Sequence, residues 1–258
     1  MPELPDVEHF RRKFEETSLD KTIQKVEVKG KQMLKNISFK DLQHQLEGSH
    51  FVNTRRYGKF LFCKTSKDTW LVAHFGMTGN VVHFKKDKKL PKYAKLIFYF
   101  PHSATALTSI RKLGEFSITN DPDQYIQERG FGPDALHTDF ESFYNKVKDR
   151  TAMIKSIFMN QHIISGIGNV YADEICYRLK LHPKTKVTKF GQEEWKKIYE
   201  TMQHTLQKGI TNKIDSSWLA QHREDDAECP QCRGKVKRIV IGSRGTYFCP
   251  SCQNRTLN

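Results

Sequence analysis

Long apolar runs are missing from this chain of 258 residues. No stretch approaches the roughly eighteen residues that a membrane helix needs, so a membrane-spanning protein is not expected. The start, Met1-Pro2-Glu3-Leu4-Pro5-Asp6, lacks a basic region followed by an apolar stretch, and an export signal is not expected either. Glycine (15) and proline (9) are too few and too irregular for a collagen-like chain. With 37% hydrophobic residues, a wholly disordered chain is also excluded. There is no internal repeat and no low-complexity tract. Negative charge is in short supply: 29 Asp and Glu face 43 Lys and Arg, a net charge of +14. That excess implies a polyanionic partner, nucleic acid or an acidic membrane surface, and says nothing about fold.

What is present begins with cysteine. Cys229, Cys232, Cys249 and Cys252 form two Cys-x2-Cys pairs. Each pair can set two thiolates on one side of a tight knuckle, and two knuckles make a tetrahedral cage for one structural zinc ion. Two disulfides are the alternative, but they suit an exported chain. Cys63 and Cys176 stand in apolar surroundings (Phe60-Leu61-Phe62-Cys63 and Ile175-Cys176-Tyr177) and are expected in the core. From Cys229 onward the tail carries Arg233, Lys235, Lys237, Arg238, Arg244 and Arg255 and no acidic residue, which suits a hairpin that contacts phosphates.

Hydrophobic periodicity predicts a first helix with Val7, Phe10 and Phe14 on one face, started at Pro5-Asp6. Short strands are expected at 22–29, 60–64, 70–75, 81–84, 96–100 and 115–119, punctuated by glycines, as in a sandwich. Asp121-Pro122 and Gly130-Phe131-Gly132-Pro133 read as a linker. Helical patterns follow at 139–148, 151–160, 169–179 and 192–208, the last with Trp195, Ile198, Met202 and Leu206 on one face. The expected fold is α+β and multidomain. It comprises an N-terminal β-sandwich with a flanking helix (1–120), a linker (121–134), a helix-two-turn-helix domain (135–222) and a four-cysteine zinc hairpin (223–258).

Two motifs point to chemistry. Ser165-Gly166-Ile167-Gly168-Asn169 falls between two expected helices, where glycines let backbone N–H groups approach an anion at a helix start. In a basic chain this reads as a clamp on a phosphate backbone; Asn169 could otherwise simply cap its helix. At the N-terminus, removal of Met1 would leave Pro2 with a secondary amine. Such amines attack carbon electrophiles and form a cationic iminium, and the neighbouring Glu3 could move protons.

The start Met1–Glu8, the turn Arg55-Arg56-Tyr57-Gly58-Lys59, the stretch His74-Phe75-Gly76-Met77-Thr78-Gly79, the segment Gly132–Leu136, the run Ser165–Glu174 and the four-cysteine tail occur in one order. That order, over nearly the whole chain, resembles the formamidopyrimidine-DNA glycosylase / endonuclease VIII family. The resemblance implies a base-excision repair enzyme that flips out and removes an oxidised base, then cuts the strand at the abasic site by β,δ-elimination. It implies Pro2 as the nucleophile at C1′ of the damaged nucleotide, Glu3 as the proton-transfer group and Lys59 as an acid in the elimination steps. Arg244 becomes a phosphate-gripping catalytic residue of the zinc hairpin. Met77 becomes the wedge that fills the emptied stack, and Arg111 faces the orphaned base. His74, Arg150, Lys155 and Asn169 complete the expected DNA contacts. The implied partner is damaged double-stranded DNA, bound by a monomer in the cytoplasm in association with the nucleoid, with no membrane.

Three departures from the family pattern stand out. Asp6 replaces the usual Glu. The segment Ser109-Ile110-Arg111-Lys112-Leu113-Gly114 keeps the arginine but has Leu113 in place of an aromatic. The stretch between Gly209 and Cys229 is shorter than in the branch that caps an extruded 8-oxoguanine, which weakens the case for 8-oxoguanine and leaves formamidopyrimidines, oxidised pyrimidines and bare abasic sites open. A non-catalytic damaged-DNA-binding member is the second reading. An unrelated zinc-ribbon RNA or transcription factor is the third, and it leaves the N-terminal motif unexplained.

Overall fold

The computed structural model describes residues 1–188, 190–211 and 213–254; Arg255 of the basic tail lies outside them. The chain forms two compact units. One comprises Met1–Pro2 and Asp6–Arg129, the other Glu3–Pro5 and Gly130–Asn258.

The first unit is a sandwich of two four-stranded antiparallel sheets. The strands are β1 (Lys25–Val28), β2 (Phe51–Tyr57), β3 (Phe60–Thr65), β4 (Trp70–His74), β5 (Gly79–Lys85), β6 (Ala94–Tyr99), β7 (Ser103–Ser109) and β8 (Glu115–Thr119). One sheet runs β1-β6-β7-β5 and the other β2-β3-β4-β8. Helix α1 (Leu4–Ser18) supplies Val7 and Phe14, both fully buried. The rings of Phe14, Phe51 and Phe98 meet edge to face at 4.9, 6.2 and 5.2 Å, so helix and sheets share one core. Burying such a ring contributes about 2–3 kcal/mol. Helix α2 (Phe39–Leu46), capped by Ser38 accepting from the Asp41 N–H, buries Leu42 and Leu46.

The expected strands are all present, with ends shifted by a few residues. β2 and β7 were not expected. β2 reads Phe-Val-Asn-Thr-Arg-Arg-Tyr, and its inward Arg56 breaks the apolar alternation. β7 reads Ser-Ala-Thr-Ala-Leu-Thr-Ser, too small and polar for a hydrophobic signal, although most of it is buried. Part of the expected linker is helix α3 (Pro122–Glu128): Asp121 accepts the N–H groups of Asp123 and Gln124, and Tyr125 and Ile126 are buried. The sequence Asp-Pro is therefore a cap followed by proline in the first turn, not a chain break.

The second unit contains α4 (Phe140–Val147), α5 (Ile154–Met159), α6 (Asn169–Arg178), α7 (Gln192–Ile210) and the hairpin β9 (Lys237–Ile241)–β10 (Arg244–Phe248). Trp195, Ile198, Met202 and Leu206 of α7 are buried, as their spacing predicts. They pack in one cluster with Leu4, Phe143, Phe158 and Ile175. No helix among the described residues is long and apolar enough to cross a membrane.

Glu8 of α1 anchors one buried charge in the first unit. Its carboxylate pairs with Arg11 at 2.8 Å, Arg12 at 3.0 Å and Arg56 at 3.4 Å, and the Arg56 side chain is 1% exposed. Burial works against the Glu8 charge, but the bonds and charges of Arg11, Arg12 and Arg56 outweigh it and hold the carboxyl at about 2. A depressed carboxyl contributes stability above its unfolded pKa, near 4.5, and loses it as pH falls toward 2. We expect Glu8→Gln, which removes a buried carboxylate facing Arg56, to lose about 2–4 kcal/mol at pH 7 in chemical denaturation and to show a smaller further loss between pH 4.5 and 2 than the parent.

Candidate active site and nucleic-acid interface

Glu3 is 1% exposed. Its carboxylate accepts backbone N–H groups from Gly168 (2.8 Å), Val170 (2.8 Å) and Tyr171 (3.2 Å), while the Leu4 N–H donates to the Gly166 carbonyl at 3.0 Å. The first turn of α6 exposes N–H donors, and a helix start favours negative charge. The two glycines make this approach possible. Gly166 has φ +113°, and a Cβ there would fall 2.5 Å from Leu4 Cδ1; a Cβ on Gly168 would fall 2.4 Å from Glu3 Cδ. The turn expected to hold a DNA phosphate thus holds the chain's own carboxylate, because Glu3 takes up the donors at the helix start. Gly168, not Asn169, occupies the N-cap position. Asn169 instead donates from Nδ2 to the Gly245 carbonyl at 2.8 Å, next to Arg244, which is exposed at the start of β10.

Lys155 is the expected site residue whose setting differs most. It has no exposed surface and cannot meet a phosphate in this conformation. Its Nζ lies 2.6 Å from Asp173 Oδ1 and donates to Thr246 Oγ1 at 2.6 Å. Asp173 Oδ2 also accepts from Arg223 and from the Tyr247 N–H at 3.0 Å. One carboxylate on α6 therefore ties together α5, the segment before the zinc knuckles and strand β10. Burial pushes the Asp173 carboxyl up, against the opposing charges of Arg223 and Lys155. Sequence reasoning placed Asp173 inside a motif but gave it no partner. A usable signal was its position in the Asp173-Glu174 pair of a helix otherwise buried over most of its length. Arg150 is exposed, its Nε donating to the Lys146 carbonyl.

The four zinc-knuckle sulfurs lie within 4.8 Å of one another, with Cys229–Cys252 at 3.8 Å and Cys232–Cys249 at 3.5 Å. A tetrahedron of thiolates about 2.3 Å from zinc has edges of about 3.8 Å, so the set fits one zinc ion. None of these cysteines is in a disulfide. The Tyr177 hydroxyl lies 3.2 Å from Cys229 Sγ, and Gln253 accepts the Cys249 N–H at 2.8 Å, bonds that orient the ligands. Cys63 and Cys176 are buried, and burial raises both thiols, which leaves them inert.

In the first unit, Lys59 stands in the two-residue turn between β2 and β3, where Gly58 takes a φ of +54°. Phe60, His74 and Glu115 are partners across β3, β4 and β8. The rings of Phe60 and His74 are 4.8 Å apart, and Arg129 pairs with Glu115 at 2.7 Å. Burial lowers the His74 pKa; Glu115 opposes this, while Lys59 and Arg129 lower it further.

The Met77 and Arg111 loops meet, with Arg111 Nη1 3.3 Å from Met77 Sδ. Thr78 Oγ1 accepts the N–H groups of Ile110 and Arg111 at 3.1 Å each. Gly76 has φ +61°, and a Cβ there would strike Gly114 N at 2.6 Å, which keeps the two loops in register. Ile110 and Leu113 are 54% and 57% exposed, an unusual state for large apolar side chains.

Three family models match in order: the formamidopyrimidine-DNA glycosylase N-terminal domain at 1–116, its H2TH domain at 131–219, and a zinc finger found in FPG and IleRS at 228–255. The formamidopyrimidine-DNA glycosylase of Mycoplasma genitalium is 30% identical, with 99% of this chain and 97% of that protein covered. That of Mycoplasma mobile is 29% identical, with coverage of 98% and 99%. Among solved structures, a Lactococcus lactis Fpg protein in complex with DNA containing N7-benzyl-Fapy-dG superposes with a TM-score of 0.89 at 26% identity, covering 98% of this chain and 100% of that one. The same protein in complex with DNA containing an oxidised pyrimidine gives 0.89 at 25% identity, with the same coverage.

Two outcomes test this geometry. Gly168→Ala should displace Glu3, costing about 1–3 kcal/mol in thermal melts together with most of the activity; unchanged melting and turnover would show that Glu3 is not held there. Removing zinc with a chelator, or Cys249→Ser, should unfold the hairpin and weaken duplex binding at least tenfold in a titration on protein verified as zinc-free.

Proposed function

Because the chain belongs to the formamidopyrimidine-DNA glycosylase family, we propose that Pro2 and Glu3 carry out base excision on damaged duplex DNA and that strand cleavage follows at the same sugar. The chain is a base-excision repair DNA glycosylase with one structural zinc. The observation that carries the residue assignment is the burial of Glu3 against the start of α6, one peptide bond from Pro2. Met1 is 46% exposed, open to the removal that frees the Pro2 amine.

The flipped nucleotide presents C1′ to the unprotonated Pro2 nitrogen. A C–N bond forms at C1′ as the glycosidic bond breaks, and its electron pair leaves with the base, which takes up a proton. Glu3 handles the proton transfers at the sugar, from a position in which it cannot swing away. The Pro2 nitrogen then loses its proton, its lone pair forms C1′=N⁺ as the C1′–O4′ bond breaks and O4′ takes up a proton, and the resulting iminium acidifies C2′–H. Loss of that proton expels the 3′ phosphate (β-elimination), and a second elimination expels the 5′ phosphate. Lys59, on its hairpin turn, supplies the acid for these leaving groups. Met77, with Arg111 against its sulfur, fills the vacated stack. His74, Arg150, Asn169 and Arg244 contact the backbone, and Lys155 acts through Asp173 and Thr246 by holding β10 in place.

The lesion class is that of the family, formamidopyrimidines and 8-oxoguanine, with oxidised pyrimidines as the second reading. One observation favours the second. The short stretch after α7 is pinned down: Trp218 and Leu219 are buried, the Ala220 N–H donates to Glu174, and Arg223 is bound to Asp173. A segment so anchored offers little free chain to cap a purine. The protein acts as a monomer on nucleoid DNA in the cytoplasm.

Glu3→Gln should bind lesion duplex within a few-fold of the parent while base release falls by about 10²-fold or more in single-turnover assays. Full glycosylase activity in that variant would remove Glu3 from the proton-transfer role. Pro2→Gly should slow base release in the same assay.

A further inference from the structure

The connector between β5 and β6 is the most basic stretch of the first unit. Residues 85–93 read Lys-Lys-Asp-Lys-Lys-Leu-Pro-Lys-Tyr, five lysines against one aspartate. All five lysines are exposed. None of them forms an ion pair, not even with Asp87 in their midst; Lys86 donates to the Gln24 side chain, and Lys92 lies over the Tyr93 ring at 4.9 Å.

Its path separates this stretch from an ordinary charged loop. β5 and β6 both pair antiparallel with β7, so the connector must return along the sheet. It leaves β5 where Lys85 faces Ser103 and enters β6 where Ala94 faces Thr108. That is about 20 Å at strand spacing. Leu90 fastens it, packing with Phe84 and Tyr99 against Ile97, Ala104 and Ala106. At the far end the Ser109 N–H donates to the Tyr93 carbonyl at 3.0 Å. Tyr93 itself is 39% exposed with φ +66°, a conformation unfavourable for a bulky residue. Ser109 leads directly into Ile110 and Arg111, the loop that meets Met77. Lys112 of that loop is close enough to Lys95 to lower its pKa beside the larger effect of burial, so a further cation stands at this end of the strap.

Five unpaired lysines fixed on a strap of this length repel one another, and a regular anion would relieve them. The charge spacing of one DNA strand, about 3.4 Å along the axis, makes 20 Å about six base-pair steps. We propose that Lys85, Lys86, Lys88, Lys89 and Lys92 form a second phosphate-backbone contact, which extends the footprint of this unit along the duplex away from the Met77–Arg111 loop. The proposal rests on the DNA-repair reading of the Met77–Arg111 loop.

The test uses the full protein, a variant with all five lysines changed to alanine, and a second variant with Lys88→Glu and Lys89→Glu. Affinity is measured across a salt series on abasic-analogue duplexes lengthened stepwise to either side of the lesion, beside single-turnover excision on the shortest lesion duplex. The parent should tighten as the duplex grows by about six pairs on one side only, and both variants should lack that gain. On long duplex the five-alanine variant should bind at least tenfold more weakly, and its log–log salt slope should fall by about 4–5, at about 0.9 for each of the five lost contacts. Excision on the shortest duplex should stay within twofold. Equal length dependence and slope in parent and variants would overturn the strap contact, as would a strap-dependent preference for an acidic peptide over DNA. If the parent itself excises nothing from any lesion duplex, the glycosylase reading fails, whatever the strap does.

Discussion

The Glu3 carboxylate, taken up by three backbone N–H groups at the start of α6, is the constraint on which the proposed chemistry depends. Each such charge-assisted bond contributes about 2 kcal/mol, and burial prevents water from replacing them. An N-terminus is ordinarily among the most mobile parts of a chain. Here the second turn-forming glycine leaves room for a carboxylate from the other end of the sequence, and Leu4 locks the next peptide to Gly166. The residue before Glu3 is thereby tethered to a fixed neighbour, as the proposed nucleophile needs if attack is to be in line with the leaving group.

Asp173 plays the corresponding part for the zinc hairpin. Lys155, Arg223, Thr246 and the Tyr247 amide converge on or beside one carboxylate of α6, and the Asn169 side chain, one turn earlier, holds Gly245. The zinc cage closes the base of the hairpin while the α6 contacts set its strand. Lone buried charges would be costly; opposed in this way they specify one placement of β10. Glu3 and Asp173 sit on or against the same helix, so the proposed proton-transfer group and the proposed phosphate grip at Arg244 share a rigid element within one unit.

Much of this was legible in the sequence. The four cysteines fixed the metal site by spacing alone, α7 was plain from four apolar residues on one face, and the Gly-rich turn announced a close approach of something to a helix start. What approaches was not legible, because Glu3 and Gly168 are 165 residues apart and only folding pairs them. Lys155 was set near DNA by its match to a family position, and only the position of Asp173 shows that its side chain is interior. β2 and β7 escaped because burial there falls on arginine, serine, threonine and alanine, which carry little hydrophobic signal. Conversely, Met77 and Arg111 were singled out by motif, and the structure brings them into contact through Thr78 and Gly76.

The most direct measurement is borohydride trapping on a short duplex with an abasic site, using protein shown to lack Met1, with peptide mapping of the covalent product. A nucleophile held in place by its Glu3 neighbour predicts a single adduct on the Pro2 nitrogen. An adduct on a lysine, or none from protein that binds the duplex, would contradict it.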